Sequence, residues 1–246
     1  MTGNRTSHTS SGGPTPADRT YRLAPLQEGM LYHHLSGNGR GVDVAQMVCT
    51  LPEAIDLPGL ERAWQAVTDR HSALRASFGW GADDRPFQWF RDAVRIGIAD
   101  HDWRDIPAGE QEDRLAAFLA EDRERGFELG GAPLFRLAHF RMGAEHHVLV
   151  WTFHHVILDG RSLPILLDEV FAIHDARVAG GECRLPDPTE YREFSSGWKD
   201  GSPQPRGKRT GGNRWRVSRS PRGWPSIAER AVMPGAPPSV CAFPRR

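Results

Sequence analysis

Val148-Leu149-Val150-Trp151-Thr152-Phe153 runs straight into His154-His155-Val156-Ile157-Leu158-Asp159-Gly160. The six leading residues are rich in β-branched and aromatic types. They lie between Gly143 and Glu145 behind and Gly160 ahead, which predicts a short strand buried on both faces. Alternation along such a strand sends Leu149, Trp151, Phe153 and His155 to one side and Val148, Val150, Thr152 and His154 to the other, so the adjacent histidines cannot easily share one task. From Ser162, read as a helix N-cap, the apolar residues Leu163, Leu166, Leu167, Val170 and Phe171 recur at helical spacing. The unit is strand, tight turn, helix, with two imidazoles and a carboxylate at the turn.

A neutral imidazole placed there can accept a proton near pH 7, because its unperturbed pKa is about 6.5. Asp159 can orient a ring, ligate a metal with the histidines, or pair with an arginine and hold the turn. No second cluster of Cys, His or carboxylate offers further metal ligands at a recognisable spacing, and no bound metal or cofactor is expected.

The whole chain, 246 residues with 39% apolar and 25% charged, is ordinary for a soluble globular protein. Its formal charge of zero conceals a division, because residues 201–246 hold ten of the 31 basic residues and a single acid, Glu229. Cys49, Cys183 and Cys241 are odd in number and in no paired motif, which points to a reducing compartment. With no apolar stretch of signal-peptide or membrane-spanning type, a cytoplasmic location and no membrane partner are expected.

Residues 1–20 contain thirteen Ser, Thr, Gly or Pro and read as a disordered leader. Pro25 opens a helix with Leu23, Leu26, Met30, Leu31 and His34 on one face, where Gly29 hints at close backbone approach. Val44 to Leu51 reads as a strand. Asp56 and Pro58 open a second helix, buried through Leu57, Leu60, Trp64, Val67, His71 and Leu74. At its end Arg70 and Arg75 either complement the helix dipole or serve the site. Strands are expected near 77–80, 86–90 and 94–99, a helix over 110–125, and a strand after Pro133 that turns back as a hairpin into the histidine strand. Arg136 on that strand is a further candidate partner for Asp159.

Four stretches occur in order: Leu26-Gln27-Glu28-Gly29-Met30-Leu31, Arg70-His71 through Leu74-Arg75, His154-His155 to Asp159-Gly160, and Tyr191-Arg192-Glu193-Phe194 with Trp198. Together they resemble the first four signature motifs of the condensation domains of nonribosomal peptide synthetases, members of the chloramphenicol acetyltransferase-like acyltransferases. The first motif resembles members that accept a D-configured or epimerising upstream residue.

The resemblance implies an α/β fold, an α+β sandwich in which helices pack on a mixed sheet, built as two similar halves with a substrate tunnel between them. It implies amide bond formation between a donor aminoacyl or peptidyl thioester and an aminoacyl acceptor, both carried on the phosphopantetheine of peptidyl carrier proteins in adjacent synthetase modules. By the same resemblance His155 acts on the acceptor amine, Gly160 lies beside the thioester, and His154, Asp159, Arg70 and Arg75 support the site. Arg161 stands where many members have an aromatic or small residue.

The resemblance covers 21–199, the N-terminal half of such a domain. A second chain supplying the other half is then a partner, and the alternative is a non-catalytic remnant that docks a carrier protein. A half domain is expected to leave Trp151, Phe153 and His155 open to water. Residues 200–246, with nine Arg, eight Pro and six Gly from 201 onward, read as a disordered or out-of-frame tail and not as a nucleic-acid-binding segment.

Overall fold

The computed structural model describes residues 20–35, 41–51, 55–81, 83–188, 191 and 239–242, the last four as backbone pairing only. Among these residues two sheets and four α-helices form a mixed α/β arrangement. The larger sheet has the order β5-β6-β7-β2-β8, with β2 Val44–Leu51, β5 Ile98–Asp102, β6 Phe135–Arg141, β7 His147–His154 and β8 Ser239–Ala242. The smaller has the order β1-β4-β3, with β1 Thr20–Arg22, β3 Ala76–Trp80 and β4 Pro86–Phe90. The helices are α1 Pro25–Leu35, α2 Leu57–Arg70, α3 Ala108–Arg125 and α4 Ser162–Val178.

β7 is antiparallel to both its neighbours, pairing Val44 with His154 on β2 and Phe135 with Phe153 on β6, and every residue of it is buried. Its alternation divides the core. Leu149, Trp151 and Phe153 pack with Leu60, Trp64 and Val67 of α2 and Leu163, Leu167 and Val170 of α4, and the Trp64 and Trp151 rings meet edge-on at 4.8 Å. Val148 and Val150 face the other way, toward Phe140, Leu115, Phe118 and Leu119, so α3 covers the opposite face.

Three expectations are corrected here. Trp151 and Phe153 are buried under α2 and α4, not open to water. Among the described residues the most exposed large apolar side chains are instead on α1, where Leu26, Tyr32 and Leu35 are 70%, 69% and 60% exposed and only Leu31 is buried. A Cβ added at Gly29 meets nothing within 4 Å, so no backbone approaches it among the described residues.

The strand expected at 94–99 lies later, at Ile98–Asp102. Over the earlier residues the Gln65 amide replaces a strand partner, donating to Val94 O at 2.8 Å and accepting from Ile96 N at 3.2 Å. β5 then pairs parallel with β6, setting Asp100 opposite His139, and their side chains bond at 2.8 Å.

Within the basic tail, Ser239–Ala242 runs parallel to β2, with Val240 opposite Val48. The remainder of that tail and the residues of the fourth stretch after Tyr191 lie outside the described residues. Among the described residues no helix is long and apolar enough to cross a membrane.

Candidate functional site

β7 ends at His154, and His155 follows in the turn, the two being fastened to opposite neighbours. The His154 amide donates to Leu134 O at 3.0 Å, on the β6 side, and the His155 amide to Asp43 O at 2.8 Å, on the β2 side. Consecutive strand residues point their amides and side chains in opposite directions, so the two rings enter different surroundings.

The His154 ring is buried, edge-on to His34 and Phe127. Its Nδ1 accepts the Val156 N–H at 3.1 Å, and an amide can only donate, so Nδ1 carries no proton. Burial first, then the neighbouring His34 and His155, push its pKa down to about 3. His154 is a neutral structural acceptor. The His155 ring is half-buried, edge-on to Phe153 at 5.6 Å, with Nδ1 3.3 Å from Leu158 O. A carbonyl can only accept, so Nδ1 is the donor in this contact, and in the neutral ring Nε2 is then the acceptor.

Among the described residues Asp159 pairs with no arginine side chain. Its Oδ1 accepts from Arg161 N at 3.0 Å, Ser162 N at 2.9 Å and Ser162 Oγ at 2.7 Å. Ser162 is the first residue of α4 and not its cap; the carboxylate three residues earlier serves the free amides and faces the positive end of the helix dipole. Partial burial works to raise the Asp159 pKa, but the Ser162 and Arg161 bonds and the Arg161 charge carry it below the ordinary carboxylate value.

The arginines expected to reach it are engaged elsewhere. Arg70 Nε lies 3.2 Å from Glu169 Oε2, and His71 Nε2 lies 2.6 Å from the same oxygen, tying the end of α2 to α4. Arg75 donates to the carbonyls of Thr68 at 3.1 Å, Asp69 at 3.3 Å and Asp92 at 3.2 Å, and to that of Arg91. It therefore satisfies carbonyls at the C-terminal end of α2, where a cation is favoured. Arg136 bonds Asp122 Oδ1 at 2.8 Å and Gly126 O at 2.7 Å and lies over the Phe127 ring. An exposed turn with three local donors satisfies a carboxylate without drawing a guanidinium from these partners.

Gly160 is exposed, and a Cβ there meets nothing within 4 Å, so crowding among the described residues does not require glycine. The described residues also contain no group of three or more His, Cys, Asp or Glu arranged to hold a metal ion.

Two contributors went unread in the sequence. Gln27 stood in the first quoted stretch without a role, yet its Nε2 donates to Val156 O at 2.9 Å, one residue past His155. Gln88, buried in β4 between Phe87 and Trp89, bonds to it. The available signal was a polar residue within the apolar run Pro86-Phe87-Gln88-Trp89-Phe90.

Residues 17–210 match the family described as the condensation domain. Linear gramicidin synthase subunits D and C of Brevibacillus parabrevis are 42% and 39% identical to this chain, over 71% and 72% of it and 3% and 2% of their own lengths. The starter condensation domain of rhizomide synthetase superposes with a TM-score of 0.64 at 18% identity, over 72% of this chain and 44% of that one. The first condensation domain of the calcium-dependent antibiotic synthetase, solved with a substrate analogue, gives 0.66 at 16%, over 72% and 42%. The chain therefore spans less than half of these solved domains and a few per cent of the synthetases. With the motifs in order, the two sheets and helices in the same arrangement, and most of its length matched, this chain belongs to the condensation-domain family of nonribosomal peptide synthetases.

Proposed function

We propose that the chain carries the histidine-bearing wall of a site that joins two carrier-bound acyl groups through an amide bond. The acceptor amine attacks the donor thioester carbonyl; the C–N bond forms, the C–S bond breaks and the phosphopantetheine thiolate leaves. The amine proton passes to His155 Nε2 and from there to the thiolate. The observation that supports His155 in this role is the Nδ1 contact with Leu158 O, which leaves Nε2 as the acceptor of the neutral ring at a partly open position.

Magnitudes set the emphasis. An α-amine with pKa near 8 is already partly neutral at pH 7.5, so deprotonating it beforehand costs under about 1 kcal/mol. General-base catalysis contributes roughly 10²- to 10⁴-fold, whereas holding amine and thioester together contributes about 7–11 kcal/mol. His155 acts more by holding the amine than by removing its proton, and Gly160 leaves room for the thioester beside it.

Positioning needs a second wall. The exposed Leu26, Tyr32 and Leu35 and the 42–44% coverage of the solved domains support a second half, in the same polypeptide or another, as the partner that completes the site. Peptidyl carrier proteins of adjacent modules then bring the substrates, in the cytoplasm. The test is amide formation between two loaded carrier proteins, with the chain alone and with a second half added. His155→Ala is expected to abolish product and His154→Ala to leave part of it. The opposite pattern refutes the assignment.

A further inference from the structure

We infer that Gln27 is a positioning residue for His155, held in place by Gln88 and Tyr191; the inference rests on the reading of His155 as the acting imidazole. Gln27 is the third residue of α1. Its Oε1 accepts the Ala24 N–H at 2.9 Å, the half of a capping box in which the third helical residue reaches back to the N-cap amide. Its Nε2 donates to Val156 O at 2.9 Å. Both partners are backbone groups of fixed polarity, so the amide can sit only one way round, and an ionised glutamate of the same length would supply the acceptor but not the donor.

Val156 is thereby clamped on both sides. Its N–H goes to His154 Nδ1 at 3.1 Å and its C=O to Gln27, while His155 ahead of it is tied through its own amide to Asp43 O at 2.8 Å. The backbone that aims the His155 ring thus has side-chain partners immediately after the strand ladder ends. Without Gln27, the peptide after Val156 loses that bond, and the Leu158 carbonyl that sets the His155 tautomer hangs on the same short turn.

The amide of Gln27 is itself held. Gln88 Nε2 lies 3.2 Å from Gln27 Oε1, 3.2 Å from Arg22 O and 2.6 Å from the Tyr191 hydroxyl, which donates to Gln27 Oε1 at 3.3 Å. Gln88 is buried, and the Tyr191 ring packs against Phe90 and Tyr21 at 5.2 and 6.1 Å. One hub therefore joins the first, third and fourth quoted stretches through β1, β4 and the start of α1. A polar cluster this connected loses more than one bond when a member changes.

The test uses the whole 246-residue chain, labelled with ¹⁵N, as wild type, Gln27→Glu and Gln27→Met. Gln27→Glu keeps the length and the acceptor for Ala24 but turns an oxygen onto Val156 O. Hydrogen exchange at the His155 and Ile157 amides is expected to quicken about tenfold while Val150, in the middle of β7, stays within about twofold. The imidazole nitrogen shifts of His155 are expected to move away from the Nδ1–H tautomer. Gln27→Met, the milder change, is judged by the same criterion should the glutamate variant not fold.

Turn amides that exchange as in the wild type, or a Val150 amide that quickens as much as His155, overturn the inference, the second because it marks general loosening. In the two-carrier assay with the second half added, the glutamate variant is expected to lose about tenfold in turnover with the acceptor KM within about twofold. A wild type that forms no amide even with the second half added, with the exchange result as expected, removes the reaction assigned to His155 and leaves the clamp standing. A wild type that forms amide, with exchange indifferent to Gln27, removes the clamp and leaves the reaction.

Discussion

Shifting the pH from about 7 to about 4.5 is expected to remove about 2.5 kcal/mol of folding free energy through His154 alone. Burial holds the pKa of this ring at about 3, against 6.5 for an unperturbed histidine. As pH falls through 6.5 the unfolded chain takes up this proton and the folded chain does not. The stabilising contribution is therefore fully present above about 6.5 and is lost as pH falls toward about 3. At pH 4.5 the unfolded histidine is about 99% protonated and the folded one neutral, a gap of about two pKa units at about 1.4 kcal/mol each, less the small part already lost at pH 7. A folded domain has only about 5–15 kcal/mol to lose.

The control is His154→Asn. The asparagine Oδ1 occupies nearly the place of Nδ1, so the acceptor for Val156 N–H survives and the titration does not. Urea unfolding followed by circular dichroism at both pH values should show the wild type losing about 2.5 kcal/mol more than the variant. Other titrations cancel in this difference. His139, pushed down by burial against the upward pull of Asp100, destabilises in the same window in both proteins; Asp168, raised by burial, acts in the opposite sense in both. Equal losses in the two proteins would refute the assignment of a neutral, acceptor-bound His154.

Asp159→Ala should lower stability by about 1 kcal/mol, the cost of a lost helix cap, because its partners are local amides and a hydroxyl; the urea midpoint measures it, and a loss of 3 kcal/mol or more would restore a buried ion pair as its partner. Glu169→Ala should cost about 2–3 kcal/mol by releasing Arg70 and His71 together, read as a lower midpoint at unchanged slope. Trp64→Ala should cost about 3–5 kcal/mol, since the ring is wholly buried against Trp151 and Phe135.

The long apolar runs were legible, because burial on both faces leaves a continuous hydrophobic record: β7 and the Leu163-to-Phe171 stripe of α4 stand where their patterns place them. β5 was misplaced for the converse reason. Ile98-Ala99-Asp100-His101-Asp102 is a polar strand, with Asp100 satisfied by His139 and Arg141, so its membership of the sheet is written in its partners. Leu26 on α1 follows the apolar pattern and is nonetheless exposed, since the pattern records that a face is to be covered and not by what. Within the site, the separation of the two histidines follows from strand alternation, but the partners of Asp159, Arg70 and Arg75 do not. A carboxylate near arginines in a motif suggests a pair. Geometry gives each of them nearer backbone or acidic partners, and only the folded turn reveals the free amides that claim Asp159.

The division between the histidines is decided by the sheet. β7 is bonded along both edges, to β2 and to β6, and the pairing of Val44 with His154 and of Phe135 with Phe153 fixes its register from two sides. A slip of one residue would exchange every side chain between the two core faces, placing Val150 and Thr152 under α2 and α4 and exposing the other imidazole. Burial of Trp151 and Phe153 against Trp64 opposes that slip with several large apolar side chains at once. The turn after β7 need not select which histidine faces outward; it has only to hold the chosen ring steady. Short-range polar contacts suffice for that: His154 and Gln27 on Val156, Leu158 O on the His155 ring, and Asp159 on the first amides of α4. The apolar core therefore chooses the residue and the polar groups set its orientation, so variants of Gln27 should disturb the ring without disturbing the strand.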